Sequence, residues 1–311
     1  MTVFTFAKRF TGMEITSTTV RVALVEKAGR AWRLVKSASI PLPEATIKPS
    51  FKSLNVIEPE FFMQAIQRLL AEFEDQVRTV GLSLPSEIVR ILLRGYPKLP
   101  DSRTEVEKLI SWSLEKSFHF PTENTQVSYQ VAGNDVSGAT QLLVTLAMRD
   151  VVRQYEDLLA KLNVDTRVVR PAGINLYNFF SPGLPDRGSR AFMGLFDNYF
   201  CLMVFESDQL TFFHGVKRGF SDLQFFQDVD LTMQHYLESN PGKRIERLCV
   251  GSQVGYHTEL REVLSNLVDI KVEIMDESGL IASDFDMAQP MERLQLSSFA
   301  SAIGAAQSLA K

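Results

Sequence analysis

Gly12-Met13-Glu14-Ile15-Thr16-Ser17-Thr18-Thr19-Val20-Arg21 has the position and shape of a loop that holds a nucleotide phosphate. A strand, a tight polar turn and a second strand can bring backbone N–H groups and hydroxyls together on one anion, and Ser17, Thr18 and Thr19 supply the hydroxyls. Two residues fit that task poorly. Thr16 is β-branched and prefers extended geometry where the backbone must approach a ligand, and Glu14 is longer than the Asp that would more readily hold a metal through water. Ser and Thr also make ordinary polar turns, so the stretch alone leaves both readings open.

Working outward, the stretch has a second copy. Set against the segment from Gly194 at a constant offset of 180 residues, it places Leu24-Val25-Glu26 on Val204-Phe205-Glu206. Each half opens with a strand, a tight turn, an apolar strand and a hairpin partner, at 32–40 in the first half and 210–213 in the second. So few shared apolar positions also arise between unrelated hairpins, and the repeat is a moderate signal. Apolar residues recur at helical spacing over 59–76, 104–118, 149–162 and 172–180, with β-rich runs at 77–84, 88–93, 127–131, 141–147 and 166–169. Ser181-Pro182-Gly183 reads as a boundary. Beyond it come a helix at 221–237, a strand at 247–250, a Gly251-Ser252-Gln253 turn, a helix at 259–267, a strand at 271–274 and a helix at 297–309. Strands alternating with helices over two similar halves predict an α/β protein with one mixed sheet in each lobe.

With 311 residues, 45% of them hydrophobic and 23% charged, the chain has enough apolar material for two domains of ordinary size. A net charge of -4 and a pI near 5.7, with Lys and Arg scattered, argue against a broad nucleic-acid surface. Cys201 and Cys249 lie in apolar runs and read as buried thiols, which fits a reducing cytoplasm. No apolar run reaches the roughly 18 residues of a membrane span, and residues 1–10 are too interrupted for a signal peptide, so a soluble protein is expected. Phe4, Phe6 and Phe10 beside Lys8 and Arg9 leave open a contact with a membrane surface or simple packing on the domain. His119, His214, His235 and His257 lack metal-ligand spacing, no Cys-x-x-Cys occurs, and neither Gly-x-Ser-x-Gly nor Gly-x-x-x-x-Gly-Lys is present. The residue pattern offers no metal site and no catalytic constellation.

Two related α/β lobes that each open with a phosphate-type hairpin resemble the actin-like ATPase fold. The run Val80-Gly81-Leu82-Ser83-Leu84-Pro85, followed in order by Pro97, Glu105, Ile110, Trp112, Glu115, Phe120-Pro121, Glu123 and Tyr129-Gln130-Val131, resembles the PilM-type type IV pilus assembly family of the FtsA/PilM group. Ala147-Met148-Arg149-Asp150-Val151-Val152, Gly251-Ser252 and the Ala/Gly-rich end at 299–309 extend the resemblance over nearly the whole chain. It implies a first lobe at 1–182 with a small insert subdomain at about 97–147, a second lobe at 183–311, and a helix at 297–309 returning towards the first lobe. It also implies ATP with Mg as cofactor, at Ser17, Thr18, Thr19 and Arg21, at Asp197, and at Gly251, Ser252 and Gly255. The implied partner is the N-terminal cytoplasmic tail of a single-span inner-membrane PilN-type protein, docked between the first large subdomain and the insert, so that membrane association is indirect; self-association is left open. Trp112, Phe118, Phe120 and Tyr129 are candidate partner contacts. Trp112 lies off the Val106/Leu109/Ile110/Leu114 stripe, with half-burial in a small subdomain as the alternative.

The departures matter as much. Where the family has Asp-Ile-Gly-Ser-Ser this chain has Glu14-Ile15-Thr16-Ser17-Thr18, Arg21 stands where Lys is common, and Gly194 and Phe196 replace an Asp or Asn and a Gly. A Phe196 ring denies the close backbone approach that Gly allows. Ser252, Gln253 and Val254 separate the glycines of the third cluster, and Asp197 reads equally as an acidic turn residue. These changes weigh against ATP hydrolysis and leave ATP binding open. The sequence therefore supports a cytoplasmic scaffold of a pilus machine, peripheral to the inner membrane through its partner. The alternative is an active ATPase whose nucleotide state gates partner binding; no feature selects a filament-forming protein.

Overall fold

The computed structural model describes residues 7–74, 77–118, 124–134, 137–185, 188–254, 258–268, 270–284 and 295–310. Strands β1 (Lys8–Ile15), β2 (Thr19–Ala28) and β3 (Ala31–Pro41) form an antiparallel meander. Helix α1 (Pro59–Ala71) follows, and β4 (Thr79–Leu84) returns parallel to β1. The chain then builds a small antiparallel sheet in the order β5-β7-β6, from β5 (Val89–Tyr96), β6 (Thr125–Asn134) and β7 (Thr140–Met148), with α2 (Arg103–Phe118) packed on it. Helix α3 (Arg149–Ala160) leads back to β8 (Asp165–Pro171), completing the order β3-β2-β1-β4-β8, and α4 (Ala172–Phe180) follows.

The second half repeats the plan. Strands β9 (Ser189–Leu195), β10 (Phe200–Glu206) and β11 (Gln209–Val216), helix α5 (Phe225–Ser239), β12 (Arg247–Ser252), α6 (Thr258–Val268) and β13 (Lys271–Ile274) give the order β11-β10-β9-β12-β13, with the same pattern of parallel and antiparallel neighbours. Helix α7 (Ala300–Ser308) ends the described chain. Glu14 pairs with Arg21 and Ile15 with Val20, while Gly194 pairs with Cys201 and Leu195 with Phe200, so the two hairpins hold the same register at the 180-residue offset.

Each large sheet is covered on both faces, which is why β2 and β10 bury consecutive residues instead of alternate ones. On one face of the first sheet, Met13, Val22, Leu24 and Leu82 pack against Phe62, Ile66 and Leu69 of α1 and Tyr155 of α3. In the second sheet Met193, Leu202 and Val250 pack against Phe225 and Val229 of α5 and Leu264 of α6. The inner faces share one core: Ala23, Val25 and Leu34 meet Phe179, Phe180, Phe192, Cys201, Met203, Cys249 and Ile303 around α4 and α7. Cys201 and Cys249 are buried free thiols. Phe10 packs on Trp32, with centroids 5.9 Å apart.

Several sequence-based bounds shift. The small sheet takes in β5, so its chain begins at Val89, ahead of the boundary near 97. Helix α1 stops at Ala71, before a left-handed Glu74 at φ 50°, and α5 starts at Phe225, after the turn that holds Asp222. Phe4, Phe6, Phe120, His119, Gly255 and His257, and the side chain of Phe118, lie outside the described residues.

Candidate functional site

The β1–β2 turn and its counterpart between β9 and β10 face one another across a cleft of about 190 Å³, lined by Glu14 to Thr18, Arg21, Ser86, Glu87, Phe196 to Tyr199, Gln253 and Val254. That volume lies below the ~300 Å³ at which ligand pockets ordinarily begin. Both turns close in the same way: Thr16 N–H donates to the Thr19 carbonyl at 2.9 Å and Phe196 N–H to the Tyr199 carbonyl at 2.9 Å. Thr16 resolves its awkward side chain locally. Its hydroxyl accepts from the Thr18 and Thr19 amides at 3.3 and 2.9 Å and donates to the Thr19 carbonyl at 3.0 Å, a Ser/Thr turn motif.

Glu14, the last residue but one of β1, has no exposed surface. Its Oε2 accepts from Arg21 at 3.2 Å and from Gln253 Nε2 at 3.0 Å, while Oε1 has no hydrogen-bond partner in the structure. Burial pushes its carboxyl above the ordinary value, with Arg21 and then Gln253 opposing the shift. Nearer the mouth, Asn198 donates to Glu87 at 3.3 Å, and burial likewise raises the Glu87 carboxyl. The Phe196 and Tyr199 rings sit side by side, both buried, with centroids 6.0 Å apart.

Ser17, Thr18, Arg21 and Asp197 thus line the cleft, whereas Thr19 does not. Gly251 and Ser252 depart from the expected turn. They are the last residues of β12, and a Cβ at Gly251 would lie 2.6 Å from the Phe180 ring and 2.8 Å from the Phe192 ring. Gly251 therefore makes room for core aromatics, and Gln253 is the residue that reaches the cleft. Gln253, Glu87, Asn198 and Tyr199 carried no signal in the sequence, although a carboxylate as deep in a strand as Glu14 requires partners from elsewhere in the fold.

A second concavity, about 750 Å³, runs between α2, the start of β6 and α3, lined by Arg103, Glu107, Trp112, Gln126, Arg149, Arg153 and their neighbours. Trp112 is 60% exposed and lies beside Lys116, whose ammonium sits 5.2 Å from the ring centroid. The buried stripe of α2, Val106, Ile110 and Leu114, faces the small sheet instead. Tyr129 belongs to that packing: it is half-buried under the Arg103 guanidinium, 5.5 Å from its centroid, and does not line the groove. The start of β6 is tied to that of α3 where Asn124 donates to Asp150 at 2.7 Å and Arg149 N–H to the Asn124 carbonyl at 2.8 Å. Arg153 and Glu156 escaped the sequence reading, and Arg149 entered it only within the 147–152 motif, although the spacing of the three along α3 marks one polar face.

Neither a protein-family model nor a curated protein matches the sequence. Among solved structures, a chain of the PilM-PilN type IV pilus biogenesis complex is similar at TM-score 0.78 and 18% identity, over 97% of this chain and 98% of that one. The cytoplasmic domain of EpsL, an inner membrane component of the type II secretion system of Vibrio cholerae, is similar at TM-score 0.51 and 11% identity over 94% and 95% of the two chains. A Bacteroides thetaiotaomicron protein with an actin-like ATPase fold follows at TM-score 0.52 and 10% identity, over 88% and 94%. Two lobes of identical strand order, a small insert sheet in the first, and these likenesses give the chain the actin-like fold, in the form found in the PilM-PilN complex.

Proposed function

We propose that this chain is a cytoplasmic scaffold of a type IV pilus-like assembly machine that docks the N-terminal cytoplasmic tail of a PilN-type inner-membrane protein in the groove between α2 and α3, and is held at the inner membrane through it. The observation that carries the reading is the groove itself, with Trp112 60% exposed beside it. Tryptophan is seldom left so open within a fold, and it is among the strongest anchors of binding interfaces. Strand β6 is an edge of its sheet, the kind of place where an extended peptide adds as a further strand. Arg149, Arg153 and Lys108 alternate with Glu107, Glu115 and Glu156 along the walls, a pattern suited to a tail that carries both signs of charge. The likeness to a chain of a PilM-PilN complex supports the class of partner.

Trp32 and Trp112 are the two tryptophans, so a Trp32→Phe variant makes Trp112 the sole reporter. Titration with the tail peptide of the inner-membrane protein encoded beside this chain is expected to shift its emission to the blue and saturate. Trp112→Ala, followed by anisotropy of a labelled peptide, is expected to weaken binding by about tenfold or more. A tail that binds neither the wild type nor the reporter variant refutes the docking role. The rival reading, an ATPase whose nucleotide state gates docking, requires Mg-ATP to change the peptide Kd.

A further inference from the structure

The residues of the interlobe cleft do not fit the nucleotide and metal that an actin-like fold would hold there. A phosphate cradle needs open amides, and those of Thr18 and Thr19 already donate to the Thr16 hydroxyl. A divalent cation needs several oxygens free to approach it. Arg21 and Gln253 occupy one oxygen of Glu14 and leave the other alone. The row of facing residues across the first sheet runs Arg21, Glu14, Ser83, Arg170; the Arg21 guanidinium reaches the carboxylate, whereas that of Arg170 donates to the Ser308 hydroxyl. Among the described residues no group of three or more His, Cys, Asp or Glu could hold a metal ion. Across the cleft the buried Phe196 ring stands in the matching turn.

We infer that Glu14, held between Arg21 and Gln253, is a latch that ties the two lobes together from within, in the place where the fold would otherwise use a bound nucleotide. A carboxylate with no exposed surface must find partners inside the protein. Arg21 comes from the adjacent strand and Gln253 from the other lobe, 239 residues away in sequence. Gln253 is itself fixed: its backbone N–H donates to the Leu195 carbonyl at 3.0 Å and its side chain to the Ser298 carbonyl at 3.2 Å. The donor therefore reaches Glu14 from a rigid base. Two further ties flank the latch. Asn198 meets Glu87 at the mouth, and at the far edge of the first sheet Ala282 exchanges backbone hydrogen bonds with Trp32 and Leu34 at 2.9 and 2.8 Å. The closed arrangement of the lobes then follows from the chain alone, and partner docking is insensitive to nucleotide.

The test combines calorimetric titration, thermal unfolding and amide hydrogen exchange on the full chain. Wild-type protein is expected to give no binding heat and no shift in Tm with Mg-ATP. Gln253→Ala is expected to lower Tm by about 4 °C and to speed exchange in both cleft turns while leaving the β5-β7-β6 sheet unchanged. If the alanine variant fails to fold, Gln253→Glu decides: two carboxylates in contact make its Tm, relative to wild type, fall as pH rises through the carboxylate range, and a flat difference refutes the contact. A Tm raised by Mg-ATP in the wild type, or a Gln253→Ala protein with wild-type Tm and exchange, overturns the latch.

Discussion

Glu14 is a carboxylate sealed from water, and its protonation reports on the two groups that hold it. Burial keeps its pKa above the ordinary 4.5. Between that value and the higher folded one, the native state retains a proton that the unfolded chain releases, so this residue makes stability fall as pH rises through the window. Glu14→Gln removes the dependence. Compared with wild type, its urea midpoint is expected to improve as pH rises above the ordinary carboxylate value and through the raised one. Arg21→Met acts in the opposite sense, because the bare carboxylate holds its proton to still higher pH. Its deficit should widen with pH, towards the ~3–5 kcal/mol typical of a broken buried pair. Parallel pH profiles for the two variants would contradict the pairing. At this scale Glu14, Thr16 and Phe196 stood out in the sequence, since each differs in local size or stiffness from what a phosphate loop ordinarily carries. Gln253 did not, because its contacts exist only when distant strands meet, and Gly251, expected in a turn, lies in β12 against two phenylalanine rings.

Among the elements, α7 shows how closely a helix can lie on a sheet when both surfaces are small. A Cβ at Gly12 would stand 1.8 Å from the Ala302 carbonyl oxygen, and one at Gly81 2.2 Å from that of Ala305, so β1 and β4 touch the helix backbone directly. On its other side Gly304 lies against the Asn175 carbonyl of α4, with 2.0 Å left for a Cβ. Gly12→Ala is therefore expected to push α7 off the sheet and cost about 3 kcal/mol or more by urea denaturation. Gly29, in an open turn at φ 63°, provides the contrast: its alanine variant meets no atom and should lose only about 1 kcal/mol of backbone preference. Equal losses at the two sites would mean that α7 gives way easily. Helices and strands were readable from their apolar periods, whereas the Ala/Gly richness of 299–309 entered only through the family resemblance. The ends of α1 and α5 were not, since a left-handed residue or a tight turn stops a helix without disturbing its apolar spacing.

On the scale of the whole molecule, each half has an outer core of its own, yet the inner faces of the two sheets share a third. The 180-residue offset was visible because the hairpin register is local; that the inner faces of both sheets would close on the same pair of helices was not, since apolar residues carry no label for their neighbours. Val25 and Leu34 from the first sheet, Phe179 and Phe180 from α4, Phe192 and Met203 from the second sheet and Ile303 from α7 form one continuous core. Removing either lobe would expose that surface, and at about 25 cal/mol per Å² of apolar area neither is expected to stay folded alone. Unfolding should then be a single event. Trp32, in a Trp112→Phe background, reports the first lobe. Cys201 and Cys249 report the second, since both thiols are buried and burial raises their pKa to about 12 and about 11, which leaves them unreactive until the fold opens. Urea midpoints from Trp32 fluorescence and from thiol labelling are expected to coincide, as a two-state transition requires. If the thiols become reactive at a lower urea concentration than Trp32 reports, the second lobe opens first and the shared core is not what unites them.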